Sequence, residues 1–442
     1  MTLRSIGLAA SLVVFAFACG SADPRSGFTT EKNPTTPKAG DNGGSIIGGE
    51  EAGDDDDSSP GVPTSECGIN HGSGADPEKD YDGDGYALKN DCNECNKKIN
   101  AGARDIPGNN IDEDCSGSAD DEPASCDASL DVSPGDAYEA AAAMGLCRRA
   151  DKNGVGWGIL DAKFVQADGK KMSGNMLNVG VLPAFGANNT PKEGGRMFVI
   201  STGLARSPAD EGYSDPAGGF GGAAGGTPSG LPQGYPKDAP SCSDVPNYKV
   251  STKGFDSAGL LVKIRVPSNA KAFSYEHFFL TQEFPDWVCT EFNDFFVTLM
   301  TPTPAGLDDA NIAFDSQNNP IGVNSGLFRV CKAGDYEVGK SSSLGGGGST
   351  VTRHFDCPDG NKRLKGTGPR YEGMSGIVST KPGGGTGWLT TTAPVTGGQE
   401  ITLHFTVWDS GDGNLDSTVM LDNFQWELES AGTVGTTPTG VK

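Results

Sequence analysis

Histidine is scarce in this chain of 442 residues: there are four, His71, His277, His354 and His404. No HExxH is present, which excludes the usual helix-borne zinc hydrolase. The G-x-S-x-G elbow of serine hydrolases is missing as well, since Gly373-Met374-Ser375-Gly376 lacks the spacing. Glycine is abundant, at 66 residues, and is concentrated in two long stretches. Neither stretch contains GxGxxG or GxxxxGK[ST], so no phosphate-binding role is assigned to them. Positive charge is short too, with 34 Lys plus Arg against 58 Asp plus Glu. Such a surface repels phosphate backbones and anionic lipid, so nucleic acid is not an expected partner. Long apolar runs are also lacking: Ile6–Ala18, about 13 residues, falls short of the ~20 that span a bilayer.

What stands at the N-terminus is a short positive start at Arg4, that apolar segment, and Cys19-Gly20. The pattern predicts a signal peptide over residues 1–18. A cysteine directly after the cut resembles the bacterial lipobox, with Ala16 a less usual residue at its first position. The resemblance implies that Cys19 is lipidated and becomes the mature N-terminus, anchoring an exported chain in a membrane. By the same analogy, Gly20 rather than Asp points to the outer membrane or cell surface. An ordinary secretory signal cut near Ala18 is the alternative. Eleven cysteines are present, and setting Cys19 aside leaves ten, an even number suited to disulfides in an oxidising compartment.

Composition then divides the chain. Residues 19–66 are rich in Gly, Ser, Thr, Pro and Asp and include the acidic run Glu50–Asp57. They read as a disordered spacer reaching on the order of 35–40 Å. Residues 67–126 are dense in Asp, Asn and Cys but poor in apolar side chains, a unit that needs metal or disulfides to hold a shape. One helix of about 11 residues is predicted next, capped by Ser133 with Pro134 in its first turn and closed by Gly145. Beyond about residue 155 the hydrophobic period is two. Val262, Ile264 and Val266 alternate with Lys263 and Arg265, and Ile401, Leu403, Phe405 and Val407 with Thr402, His404 and Thr406. Phe273, Tyr275, His277 and Phe279 share one face. Many short alternating strands without intervening helices predict a mainly β fold, a β-sandwich over 127–430, with residues 431–442 as a disordered tail.

The sharpest motif is Asp80-Tyr81-Asp82-Gly83-Asp84-Gly85-Tyr86-Ala87-Leu88-Lys89-Asn90-Asp91. It follows the D-x-D-x-D-G pattern of an EF-hand calcium loop. Asp80, Asp82 and Asp84 would converge as the chain curls, the Tyr86 carbonyl would add a main-chain ligand, and Asp91 would close the shell in place of the usual Glu. A weaker copy follows, with Asp112, Asp114 and Ser116 at its first three ligand positions and Asp120 at the ninth; Pro123 stands at the twelfth. A hydrophilic turn is the alternative reading of each. Cys92-x-x-Cys95 has no second CxxC or nearby histidines for zinc, and no βαβ context for redox work, so it reads as structural disulfide.

D-x-D-G-D-G-Y, then Asp91-Cys92, then the I-P-G-N-x-I-D-x-D-C-x-G run from Ile106 to Gly117, resembles the MopE-type metal-binding repeat of secreted bacterial proteins. The match covers about residues 76–121. It implies that Cys92 pairs with Cys115, closing the loop between the two motifs. Cys95 is an extra thiol, and Ser116 stands where the family has Asp. The family takes its name from a copper-binding protein, but hard carboxylates favour calcium over copper. Farther along, Phe273-Ser274-Tyr275, Gln282-Glu283-Phe284-Pro285 and Phe292-Asn293-Asp294-Phe295-Phe296 resemble the core of the choice-of-anchor L family. Ala393–Gln399 and Trp408–Ser417 match two further segments of it. Gln282, Phe284 and the glycine-rich insertions depart from its pattern. The resemblance implies an extracellular β-sandwich, surface display and possible adhesion, with no catalytic activity.

Asp409, Asp412 and Asp416, with Asp422 counted, crowd four carboxyls into a short stretch that a cation would relieve. Glu283 and Asp294 could complete such a site, and solvated loop acids are the other reading. The sequence expectation is therefore a calcium-binding, disulfide-bonded surface lipoprotein that binds an unidentified extracellular ligand, carbohydrate among the candidates, rather than reacting. Trp287, Trp388 and Trp408 are candidate contact aromatics, with core packing their other reading. A secreted hydrolase using a carboxylate pair, or a copper-binding surface protein, are the alternatives.

Overall fold

The computed structural model describes residues 74–122, 125–172, 176–214, 226–339, 350–373 and 381–440. The expected signal segment, Cys19, the acidic spacer and Cys67 lie outside them. In chain order the strands begin β1 Gly158–Val165, β2 Val179–Leu182, β3 Met197–Ser201, β4 Pro228–Ser229, β5 Gly254–Arg265, β6 Ala272–Thr281, β7 Phe295–Thr301 and β8 Ile321–Gly322. They continue with β9 Gly334–Val338, β10 Val351–Phe355, β11 Gly384–Gly385, β12 Leu389–Pro394, β13 Glu400–Ser410, β14 Ser417–Glu427 and β15 Gly435–Pro438. One sheet runs β1-β5-β13-β7-β8 with β4 beside β5, and the other β15-β12-β6-β14-β3-β2 with β11 beside β6. β9 and β10 form a separate hairpin. The fold is a β-sandwich, as the period-two pattern predicts.

The alternating residues meet between the sheets. Val262, Ile264, Ile401, Leu403 and Phe405 face Phe273, Tyr275 and Phe279 in one buried cluster. The other face of the second sheet is covered as well: Phe278, Leu280 and Met420 pack with Leu364 and Tyr371 from the long connections. Successive strand residues point to opposite faces, so β6, buried along nearly its whole length, needs cover on both. Trp388 and Trp408 are buried in these layers, and Trp287 packs edge-on against Phe292. Disulfides join Cys92 to Cys115, Cys126 to Cys147, Cys242 to Cys289 and Cys331 to Cys357. Cys95 is disulfide-bonded too.

Two expectations are corrected. The helix α1 is six residues, Ala137–Ala142, and its cap is Asp136, whose carboxylate accepts from the amides of Tyr138 and Glu139. Ser133 is drawn away, its hydroxyl accepting a hydrogen bond from buried Arg206. Residues 435–438, expected in a disordered tail, form edge strand β15 against β12. There Thr436 and Thr439 bond across to the hydroxyls of Thr391 and Thr390, a cross-strand threonine pairing that an apolar pattern does not reveal.

The module over residues 74–122 and the sandwich belong to one compact unit. Ser268 donates its amide to the Gly102 carbonyl and its hydroxyl to Asn100, while Asn269 exchanges hydrogen bonds with the main chain of Arg104. The module thus sits on the β5–β6 turn.

His277 lies fully buried between Tyr275 and Phe296, with Nε2 2.9 Å from the Thr391 hydroxyl. Burial pushes its pKa from 6.5 down to about 3. Unfolded, the ring takes a proton near 6.5; folded, it stays neutral. Stability is therefore intact above pH 6.5 and falls as pH drops towards 3, by up to ~1.4 kcal/mol per pH unit from this ring. H277Q is expected to flatten the acid side of a denaturant-midpoint against pH profile by about that slope. An unchanged slope would show that the ring does not carry this linkage.

Candidate metal centre

The 80–91 loop curls as its sequence dictates, because each aspartate turns the chain back on itself. Asp80 accepts from the amides of Gly83 and Gly85 at 2.6 and 2.9 Å, Asp82 from Asp84 at 3.1 Å, and Asp84 from Tyr86 at 2.8 Å. Gly85, at φ 96°, takes the left-handed conformation that lets the loop close. A short 3-10 turn, Leu88–Asn90, then buries Leu88 and delivers Asp91, which is 2% exposed. Tyr86 turns its ring over Gly102, where an added Cβ would lie 1.8 Å from the phenol oxygen.

Two overlapping acid triads result. Oxygens of Asp82, Asp84 and Asp91 lie within 4.8 Å of one another, and so do those of Asp80, Asp82 and Glu94. The four expected acids do not form one group: Asp82 is shared, and Glu94 joins from beyond the motif. Glu94 also accepts from the Tyr81 amide at 2.6 Å. One oxygen each of Asp82 and Asp91 is buried without a hydrogen-bond partner. Burial, reinforced by the charges of Asp84, Glu94 and Asp82, pushes Asp91 up to about 7. Asp82 and Asp84 are raised for the same first reason, whereas amide hydrogen bonds led by Gly85 hold Asp80 low. Hard oxygens at this spacing could hold a metal ion. Behind the loop, the Cys92–Cys115 disulfide implied by the repeat resemblance is present.

The second copy assembles differently from its expectation. Asp112 repeats the local turn, accepting from the amides of Ser116 and Gly117, but stays out of the acid group. Asp120 is diverted to the amides of Gly108, Asn109 and Asn110, where it holds the preceding loop. Asp114 instead meets Asp105 and Asp121. Ser116 contributes a hydroxyl bond to Asp121 at 3.1 Å. This group already has its counter-charge: Arg148 reaches Asp114 at 2.6 Å and Glu122 at 3.2 Å and lies over Trp157. Asp105 is saturated by the amides of Glu113, Asp114 and Asp121.

The third set lies at one end of the sandwich, where β6 passes the chain to β7 and β13 passes it to β14. Glu283, Asp294 and Asp409 are 4%, 0% and 2% exposed. Asp294 accepts from the Ser417 hydroxyl at 2.6 Å and the Ser410 amide at 3.3 Å. Asp416 packs its carboxyl against Gly203 and donates its amide to Gln282. Asp412 bonds the Asn414 amide. Burial raises Asp294 to about 7 and Asp416 to about 6, and holds Glu283 and Asp409 well above the usual range, with Asp294 adding repulsion to both. Asp422 does not belong here. It lies about 20 Å further along extended β14 and accepts from the amides of Lys192 and Glu193.

Asp105, Asp121 and Glu94 were missed from sequence. Glu94 stands three residues beyond Asp91, and Asp105 immediately precedes the Ile106-Pro107-Gly108-Asn109 run, but only the fold turns them inward. Comparison with known families, curated proteins and solved structures found no match to this chain.

The Arg148 contacts join the module to the sandwich. R148Q should lower stability by ~1–3 kcal/mol, since Asp114 would stay buried without its ion pair. K89Q, which breaks the exposed Lys89–Glu78 pair, should cost less than ~0.5 kcal/mol. Equal effects of the two substitutions on urea midpoints would contradict this ranking.

Proposed function

We propose that this chain is a calcium-binding cell-surface lipoprotein that presents its β-sandwich for adhesion or ligand binding and carries out no reaction. The observation that carries the calcium reading is the pair of triads sharing Asp82, with Asp91 almost wholly buried and one of its oxygens unpartnered. A buried carboxylate with unmet valence costs ~1–3 kcal/mol or more, and a divalent cation removes that cost together with the repulsion between neighbours. The anchor at Cys19 rests on the signal and lipobox pattern, and surface display on the choice-of-anchor L resemblance. Among the described residues the exposed large apolar side chains are Ile111 and Val155, so contact with a partner would be polar in character.

Titration calorimetry of calcium into the chelator-treated chain, with magnesium and copper(II) in parallel, tests the proposal. Calcium uptake that D82N and D91N abolish and E94Q weakens is the expected result. Tight copper binding with no calcium uptake, or calcium uptake indifferent to all three substitutions, would sink it.

A further inference from the structure

A cavity of about 360 Å³ opens where the 74–122 module meets the sandwich. Its size lies in the ~300–1,000 Å³ range of small-molecule sites. The walls come from distant parts of the chain: Arg104 from the module, Asp127 and Glu193 from connections, Trp157 just ahead of β1, and Gln425 and Trp426 from β14. None of these residues belongs to an acid triad.

Hydrogen bonding in the walls is incomplete in both senses. Asp127, 3% exposed, gives one carboxylate oxygen to the amides of Gly195 and Arg196, while the other is buried without a partner. Trp157, 6% exposed, has an indole N–H buried without a partner. Arg104 gives a guanidinium N–H to the Trp426 carbonyl at 3.4 Å, a long contact that leaves most of its donor fork unspent. Gly194, also in the wall, leaves Asp127 uncovered, since an added Cβ there would lie 2.5 Å from the carboxylate.

These unmet groups select the chemistry of an occupant. An anion would face Asp127, Glu193 and Asp422, with Arg148 already held by Asp114 and Glu122. An ammonium ion would satisfy Asp127 but leave the Trp157 N–H unmet and sit beside Arg104. A hydroxyl both donates and accepts, so neighbouring hydroxyls on one ligand answer the acceptor and the donor together. The rest of the wall is a fixed apolar corner. Trp157 and Trp426 meet edge to face with ring centroids 6.4 Å apart, and Phe273 and Phe424 buttress Trp426. A pyranose ring has the matching division, a C–H face for the corner and a rim of hydroxyls for the polar groups.

We propose that this cavity binds a neutral sugar, its hydroxyls bonded to Asp127, the Trp157 indole and Arg104, and its C–H face set against the Trp157–Trp426 corner. The proposal rests on the ligand-presenting half of the function given above and supplies it with a ligand class and a site.

The test titrates the full chain with glucose, galactose, mannose, N-acetylglucosamine, cellobiose and lactose, read by tryptophan fluorescence and saturation-transfer NMR. N-acetylneuraminic acid and spermidine serve as the anionic and cationic comparisons. At least one neutral sugar is expected to bind, and neither charged probe. D127N, which removes the charge from the accepting oxygen, should weaken that binding about tenfold. W157F, which keeps a ring but deletes the indole N–H, should weaken it about fivefold. W287F should leave it unchanged, because that indole N–H is also buried and unpartnered but lies outside the cavity. Should D127N fail to fold, W157F against W287F carries the test. Silence from every neutral sugar, or binding by a charged probe alone, overturns the proposal. So does sugar binding that D127N and W157F leave intact, which would place the ligand elsewhere on the chain. The wider reading is judged apart, by adhesion of cells displaying the chain: adhesion that persists with no sugar bound refutes the cavity alone.

Discussion

The structure depends on finding partners for too many carboxylates. With 58 acids and 34 bases, ion pairing cannot neutralise the chain, and the fold answers chiefly with backbone amides. Asp80, Asp112, Asp120 and Asp136 each accept from two or more main-chain N–H groups, so their charges set turns and a helix start. Where amides and one guanidinium suffice, as around Asp105, Asp114 and Arg148, the group is closed. Where they do not, around Asp82 and Asp91, oxygens are left over. The acid sets thus differ less in their sequence signatures than in the counter-charge the fold supplies.

The same scarcity shapes the module over residues 74–122. It has few apolar side chains to bury, Leu88, Ile99 and Ala103 being the ones inside. Its shape is held by the Cys92–Cys115 bridge and by docking. Asn100 shows how tightly these duties are shared: its amide donates to Asp84 at 2.7 Å while its carbonyl oxygen accepts from Gly102 and Ser268. One side chain therefore touches the acid loop, the module backbone and the β5–β6 turn, so order in the loop is passed directly to the sandwich.

The layers were legible in the sequence because a strand buried on one face writes its period into the chain, as β5 and the first half of β13 do. Strand β6 defeats the pattern, since Phe278 and Leu280 find cover from Leu364, Tyr371 and Trp388, which share no strand period. The helix cap went to Asp136 because Ser133 was claimed by Arg206, a contact 73 residues away that no local rule contains. Likewise the EF-hand spacing brings Asp82, Asp84 and Asp91 into one acid group, since their turns are set by a local curl. Glu94, Asp105 and Asp121 come together through the tertiary path, and Asp120 left its expected site for amides ten to twelve residues earlier. Local motifs predict a loop's own turns; they do not predict which side chains from outside complete it.

Separation along β6 gives the two buried acid sets distinct consequences. At its start the loop module governs how residues 74–122 grip the sandwich; at its end the buried acids govern how the sheets meet. Groups about 30 Å apart with no shared partner contribute nearly additively to stability. Charge relief at one end cannot substitute for relief at the other. A cation in the loop would leave the repulsion between Asp409 and Asp294 as before, and a proton on Asp409 would leave Asp91 unpaired. The acidity of this chain is therefore two local problems rather than one diffuse field, and each must be met where it arises.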